Sequence, residues 1–159
     1  MTSYGPSSGN LLSAATNPDL AGAYAALESF YYALNQRDLE VLSAVWSDDP
    51  EAQLNNPLGG ILRGGQAIAE LYRKIFEGPV RLTVTFGDFL TYSGTGHAVF
   101  AGRETGHYDT GSSKVPLAIR TSRYFRYDEV SGRWRQFHHH GSIDAPAELA
   151  RYQQAVTGG

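Results

Sequence analysis

Apolar residues recur at helical spacing in the first half of the chain and alternate with polar residues in the second half. Asn17-Pro18 predicts a helix start, because Asn caps a helix and Pro fits the first helical position. Asp38 predicts a second, shorter helix, and Gly64-Gly65 precedes a third helix that Gly78-Pro79 ends. The predicted apolar faces of these helices are Leu20, Ala23, Tyr24, Leu27, Phe30, Tyr31 and Leu34; Val41, Leu42, Val45 and Trp46; and Ile68, Leu71, Tyr72, Ile75 and Phe76.

From Val80 onward the hydrophobic period is two, which is typical of half-buried strands. Strands are predicted over residues 80–86, 97–104, 115–127 and 133–140, with a short additional strand over residues 52–56. Helices grouped before a run of antiparallel strands indicate an α+β fold. We expect a curved antiparallel sheet wrapped on the three N-terminal helices as a cone, with an open mouth that admits a ligand.

The chain divides into three predicted parts. Residues 1–16 are rich in Ser and Gly and lack the basic and apolar regions of a signal peptide, so they predict a disordered arm. The predicted domain covers residues 17–145. Pro146 opens a short C-terminal helix within residues 146–159, with apolar positions at Leu149, Tyr152 and Val156.

Composition excludes several classes of partner and site. Thirteen basic and sixteen acidic residues give a net charge of -3 without a run of Lys or Arg, so nucleic acid is not an expected partner. No apolar stretch approaches the roughly 20 residues that cross a bilayer, so we expect a cytoplasmic protein without a membrane partner. The chain contains no cysteine, which excludes disulfides and thiolate chemistry. The glycine pairs lack the spacing of a phosphate loop or a dinucleotide fingerprint, and no cofactor is expected.

Two segments carry a family resemblance. The first joins Asn56-Pro57-Leu58-Gly59 to Gly64-Gly65-Gln66-Ala67-Ile68, and the second, more specific one is Gly132-Arg133-Trp134-Arg135-Gln136-Phe137-His138-His139-His140-Gly141-Ser142. Their order resembles the nuclear transport factor 2-like superfamily, with its SnoaL-like and ketosteroid isomerase-like domains. With Thr121-Ser122-Arg123, the last strands also resemble the association domain of calcium/calmodulin-dependent protein kinase II.

The resemblance covers roughly residues 21–142 and implies the cone fold, a pocket for a small-molecule ligand and a homodimer. It does not imply one reaction, because the fold hosts isomerases, dehydratases, cyclases, epoxide hydrolases and assembly domains. Ketosteroid isomerase-like members use a carboxylate base in the pocket. No carboxylate of this sequence matches that position, and Glu104 and Asp88 are the nearest acidic candidates.

Three consecutive histidines near the end of the last predicted strand are the most conspicuous chemical feature. Strand alternation places His138 and His140 on one face with Trp134 and Gln136, and predicts that His138 faces the pocket as the catalytic acid or base. A metal site would need a third ligand from His97 or His107, and none is expected. The alternative is a structural histidine at the strand end.

Further polar and aromatic side chains are candidates for the pocket. Arg123 occupies a family-like position and would pair with an anionic group of a ligand. Asn55 and Asn56 end a strand where they face the pocket or form the turn before Pro57. The candidate ligand-binding residues are Asn55, Asn56, Tyr31, Trp46, Tyr72, Arg123, Gln136 and His140.

Two functions remain open at this point. One is an isomerase-, dehydratase- or cyclase-type acid–base enzyme acting on a small cyclic or carboxylic substrate. The other is a non-catalytic ligand-binding or oligomerisation domain. The expected homodimer would form through an outer sheet face carrying Phe125, Tyr127 and Phe137.

Overall fold

A computed structural model describes residues 1–143 and 145–158. Its helices are α1 (Leu20–Gln36), α2 (Leu39–Val45), α3 (Gly65–Glu77) and α4 (Pro146–Thr157), with a 3₁₀ turn at Ala14–Thr16 before α1. Its strands are β1 (Gln53–Asn55), β2 (Ile61–Arg63), β3 (Arg81–Gly94), β4 (His97–Asp109), β5 (Lys114–Asp128) and β6 (Arg133–Ser142). Strand β2 was not predicted, because three residues are too few to show a period of two.

The strands form one six-stranded sheet in the order β2-β1-β6-β5-β4-β3. Strands β3 to β6 run as an antiparallel meander, and β1 pairs with β6 in parallel. The sheet is curved and unclosed, and its concave face packs on the N-terminal helices. The predicted α+β cone fold is confirmed.

Side-chain caps fix where the first two helices begin. The Asp19 carboxylate accepts a hydrogen bond from the backbone N–H of Ala21 at 3.0 Å, so α1 begins two residues later than Asn17-Pro18 predicts. Asp38 accepts from the N–H of Val41 at 3.0 Å, as predicted for the start of α2. Each cap satisfies one of the donors that a helix start leaves without an internal partner.

Aromatic side chains fill the space between α1 and the sheet. Phe30, Phe86, Phe100 and Phe125 are fully buried there. The expectation that Phe125 and Tyr127 lie on the outer face is therefore wrong. The side chains of Phe125 and Tyr127 point inward from β5, as that of Arg123 does, and they pack in the apolar core.

Residues 1–16 pack against the domain, in contrast to the disordered arm that their composition predicts. Tyr4 pairs with Phe86 at the edge of the sheet through hydrogen bonds of 2.9 and 2.7 Å. Ser29 of α1 accepts a hydrogen bond from the N–H of Leu11 at 2.8 Å, and Tyr4 and Ala15 are buried. The unpaired backbone of edge strand β3 supplies the hydrogen-bond partners of Tyr4. Within the described residues, no helix combines the length and apolarity needed to cross a membrane.

Candidate functional site

A β-bulge in β6 decides which histidine faces the interior of the cone. Tyr124 of β5 lies opposite His138 and Phe125 lies opposite Gln136, so Phe137 has no partner residue on β5. The extra residue reverses the alternation of side chains beyond it. Trp134 and Gln136 point inward before the bulge, and after it His139 points inward, directly opposite Arg123.

The prediction that His138 faces the pocket is wrong for this reason. The Nδ1 atom of His138 donates to the backbone carbonyl of Gln53 at 2.8 Å, on the outer side of the sheet. His140 is exposed, and its Nδ1 accepts from the side-chain amide of Asn55 at 3.1 Å. Neither His140 nor Asn55 reaches the interior.

A small cavity lies between the concave face of the sheet and the helices. Its apolar wall is formed by Leu34, Leu54, Pro57, Ile75, Leu82, Val84, Leu117 and Ile119. Its polar lining is formed by Asn56, Tyr72, Glu104, Arg123, His139 and Tyr152. The free volume is ≈ 40 Å³. This holds a few water molecules, at about 10–15 Å³ each, whereas ligand pockets usually measure about 300–1,000 Å³.

Arg123 is the centre of a buried hydrogen-bond network at this cavity. Its Nη2 donates to Oε1 of Glu104 at 2.7 Å, and its Nη1 donates to Oε1 of Gln136 at 2.9 Å. Its Nε donates to the hydroxyl of Tyr31 at 2.8 Å, and that hydroxyl donates to Oε1 of Glu104 at 2.6 Å. The guanidinium carbon also lies 3.8 Å from the centre of the Phe30 ring. These contacts hold one positive and one negative charge in a fixed geometry.

The pKa values of Arg123, Tyr31 and Tyr72 are all raised, but for different reasons. Burial alone would lower the pKa of Arg123, but Tyr31, Glu104 and Tyr72 outweigh it and raise that pKa above its usual value. Burial raises the pKa of Tyr31 well above 10, although the nearby guanidinium opposes the shift. Burial likewise raises the pKa of Tyr72 to about 12. Both phenols are therefore hydrogen-bond donors at neutral pH.

His139 is a buried imidazole without a protein partner. The residue is 3% exposed, and neither Nδ1 nor Nε2 has a hydrogen-bond partner among the described residues. Burial, and next the positive charge of Arg123, lower the pKa of His139 well below 6.5, so the ring is neutral at pH 7. A neutral imidazole carries one donor and one acceptor. His139 thus lines the cavity that contains Glu104, and no described residue uses its donor or its acceptor.

Of the other candidate residues, Trp46 and Gln136 lie outside the cavity lining, and Asn56 is part of it. Trp46 lies beside Gln136, and both Nε1 of Trp46 and Nε2 of Gln136 are buried without a partner in the described part of the chain. Asn56 lines the cavity while its Oδ1 accepts from the N–H of Leu58 at 2.9 Å. Asn56 therefore has both of the roles that the sequence left as alternatives, since it lines the pocket and stabilises the turn before Pro57.

Glu104 was missed as the pocket carboxylate although a signal for it exists. On β4, residues 98, 100 and 108 are buried on the inner face, and residue 104 has the same parity. An acidic residue at an apolar-face position of a strand is costly unless it is paired, so it indicates a partner. Asp88 instead lies on the outside, where it accepts from Arg103 at 3.2 Å with both side chains largely exposed.

Larger clefts lie on the surface, and their charged side chains are exposed. One near the N terminus measures ≈ 590 Å³ and has Tyr4 and Tyr24 beside Asp88, and another measures ≈ 360 Å³ and has Arg120 and His140. No group of three or more His, Asp or Glu side chains in residues 1–143 and 145–158 could hold a metal ion. The small cavity, with its buried ion pair, is therefore the candidate site.

Known proteins that are similar to this chain share its architecture. The model of the SnoaL-like domain matches residues 24–147. No curated protein matches this chain. Among solved structures, a protein from Thiobacillus denitrificans assigned as a calcium/calmodulin-dependent protein kinase type II association domain is 28% identical, with a TM-score of 0.62. The match covers 77% of this chain and 94% of that protein.

Two further structures share the fold at lower identity. A protein from Streptomyces avermitilis assigned as a dehydratase of the NTF2-like family is 20% identical, with a TM-score of 0.66 over 77% of this chain and 94% of its own. A ketosteroid isomerase-like protein from Erwinia carotovora atroseptica is 21% identical, with a TM-score of 0.67 over 82% and 99%.

Proposed function

Since this chain belongs to the SnoaL-like family, we propose that it binds a small organic molecule in the cone and moves a proton on it, as an isomerase or a dehydratase does. One observation carries the proposal. His139 keeps both ring nitrogens unpaired and lines the same cavity as Glu104. Buried polar atoms in proteins are nearly always hydrogen-bonded, so an exception calls for an explanation such as a ligand or a catalytic role.

Glu104 is the proposed proton acceptor. Its Oε1 already accepts from Tyr31 and Arg123, and no described residue donates a hydrogen bond to Oε2. The fixed network holds the carboxylate in one orientation, so its free oxygen is positioned without further loss of side-chain entropy. A carbon-bound proton next to a carbonyl is the kind of proton that a positioned carboxylate removes.

His139 is the proposed partner of the substrate oxygen. Because the imidazole is neutral, its N–H can donate to a carbonyl without introducing a second buried cation beside Arg123. Donation from His139 stabilises the oxyanion that develops when the proton leaves. In an isomerisation Glu104 returns the abstracted proton to another carbon, and in a dehydration it gives that proton to the departing hydroxyl, which leaves as water while the double bond forms.

The test is solvent deuterium exchange into cyclic ketones, followed by proton NMR with wild type, Glu104→Gln and His139→Gln. We expect the wild type to exchange the protons next to the carbonyl. Loss of the base should reduce the rate by about 10²–10⁴-fold. His138→Gln is the matched control, since it changes the adjacent histidine on the opposite face. Circular dichroism must show that each variant is folded, and exchange at the wild-type rate by Glu104→Gln would refute the assignment.

A non-catalytic binding domain is the second candidate, and one observation favours it. Oε1 of Glu104 accepts from both Arg123 and Tyr31, so this carboxylate already serves as the counter-charge of a buried guanidinium, which is a structural role that needs no substrate. In that case ketones or small acids would raise the melting temperature of the wild type, and deuterium would not enter any bound ketone.

A homodimer through the outer face of the sheet is part of the proposal. Leu90 and Tyr92 are 65% and 58% exposed on β3. They lie opposite Ala101 and Val99 of β4 on that face. The exposed apolar area supports a partner surface, although it is built from other residues than the sequence suggests.

A further inference from the structure

Helix α4 places one side chain, Tyr152, at the cavity of the cone. Tyr152 is 5% exposed and lines the same cavity as Glu104 and His139. Its ring lies 5.1 Å from the ring of Tyr108, and the two pack with Val80 and Leu117 in a small apolar cluster. With Tyr152 in place, the remaining ≈ 40 Å³ has no room for a second ring.

The helix itself is lightly attached. Tyr152 is the one buried residue among those described for α4. Gln153 adds a hydrogen bond from its side-chain amide to the carbonyl of Leu58. Nearly all of α4 lies beyond residue 147, where the match to the SnoaL-like domain ends. A helix held by one buried aromatic side chain, with half-buried Ala155 and Val156 beside it, can leave its site without unfolding the sheet.

The charges of the cavity define what could replace Tyr152. Arg123 and Glu104 neutralise each other at 2.7 Å, and the ring of His139 is neutral at pH 7. A ligand with a net charge would leave that charge unpaired among buried side chains, which is costly. The unpaired ring nitrogens of His139, which lines the cavity, instead offer hydrogen bonds to an uncharged oxygen.

We propose that α4 is a plug whose Tyr152 phenol occupies the place of a ligand ring, and that an uncharged planar ring compound with a hydroxyl or carbonyl oxygen displaces it. This proposal rests on the proposed function, because it regulates access to the same cavity. The closed form is the resting state, and the apparent affinity for the ligand is reduced by the fraction of molecules in which α4 is in place.

The experiment measures the position of α4 while a probe binds. The chain has no cysteine, so Gln154→Cys on the exposed side of α4 and Glu40→Cys on α2 give two unique spin-label sites. The probe is p-cresol, the analogue of the Tyr152 side chain. Its affinity is measured by calorimetry for wild type, Tyr152→Ala and Tyr152→Leu, and its location by NMR shifts of His139. Val130→Ala, which changes an exposed turn residue away from the cavity and from the outer sheet face, is the control.

We expect p-cresol to lengthen the label distance in the otherwise unchanged chain. Tyr152→Ala should bind p-cresol about tenfold more tightly than wild type, and Tyr152→Leu, which keeps apolar volume, should still release the plug in part. Val130→Ala should behave as wild type. If p-cresol binds beside His139 while the label distance is unchanged, the proposal that α4 is displaced is wrong and the proposal that the cavity binds a ligand holds. If p-cresol shifts no His139 signal in wild type or in either Tyr152 variant, the pocket and the plug are both wrong.

Discussion

The side chains of Arg123 and Glu104 meet at 2.7 Å inside the cone, with 2% and 6% of their surfaces exposed. The two residues lie on neighbouring strands β5 and β4, and Tyr31 of α1 bonds to both. The network therefore ties the first helix to the sheet through charged hydrogen bonds. Breaking one partner of such a pair leaves the other charge buried alone.

We expect Glu104→Gln to lower the free energy of unfolding by about 3–5 kcal/mol, because the Arg123 guanidinium would lose its counter-charge. The double variant Glu104→Leu with Arg123→Met removes both charges and should recover most of the loss. Urea denaturation measures both. Asp88→Asn is the control, since the exposed pair of Asp88 with Arg103 should contribute about 0–1 kcal/mol. Equal losses for Glu104→Gln and Asp88→Asn would contradict the structure.

The neutral imidazole of His139 makes stability depend on pH in one direction. Its pKa is lowered by burial and by Arg123 in the folded state, so below about 6.5 the unfolded chain binds one more proton than the folded chain. Stability should then fall on acidification from about pH 6.5, by up to about 1.4 kcal/mol per pH unit. His139→Gln should remove this part of the slope, whereas His138→Gln should keep it. Melts between pH 7.5 and pH 5 in steps of about half a unit provide the measurement, and a wild-type slope in His139→Gln would show that this ring does not titrate as described.

The N-terminal segment should stabilise the domain. Tyr4 is buried and pairs with Phe86, so Tyr4→Ala should cost about 2–3 kcal/mol through lost burial. A chain beginning at Asn17 should also melt at a lower temperature than the full chain. Thr2→Ala, at an exposed position of the same segment, is the control. An unchanged melting temperature on truncation would mean that residues 1–16 do not contribute to folding.

The outer face of the sheet should hold two copies together. Tyr92→Lys places a charge among Leu90, Val99 and Ala101 and should shift the proteins from dimer to monomer, because a buried unpaired charge opposes association. Light scattering at micromolar concentration reports the change. Val130→Lys, at an exposed turn away from this face, should leave the dimer intact. A wild-type monomer at that concentration would exclude the dimer.

The order of helices and strands was predictable from the sequence, because it depends on local spacing. The apolar repeat from Leu20 to Leu34 and the alternation around Val84 each reflect the period of one element. The cap at Asp38 and the end of α3 at Gly78 are equally local. The presence of Tyr72 and Arg123 at the cavity followed from the same periodicities.

The identity of the inward histidine was decided by the tertiary structure alone. Pairing of β6 with β5 forces the bulge at Phe137, and no local pattern in the Gly132–Ser142 segment shows that one residue there is left unpaired. The partnership of Glu104 with Arg123 joins residues nineteen positions apart in sequence through strand packing. The position of Tyr152 at the cavity likewise depends on where α4 packs against the rest of the fold. Local spacing determines elements and their apolar faces, whereas strand register and packing determine which polar groups share one cavity.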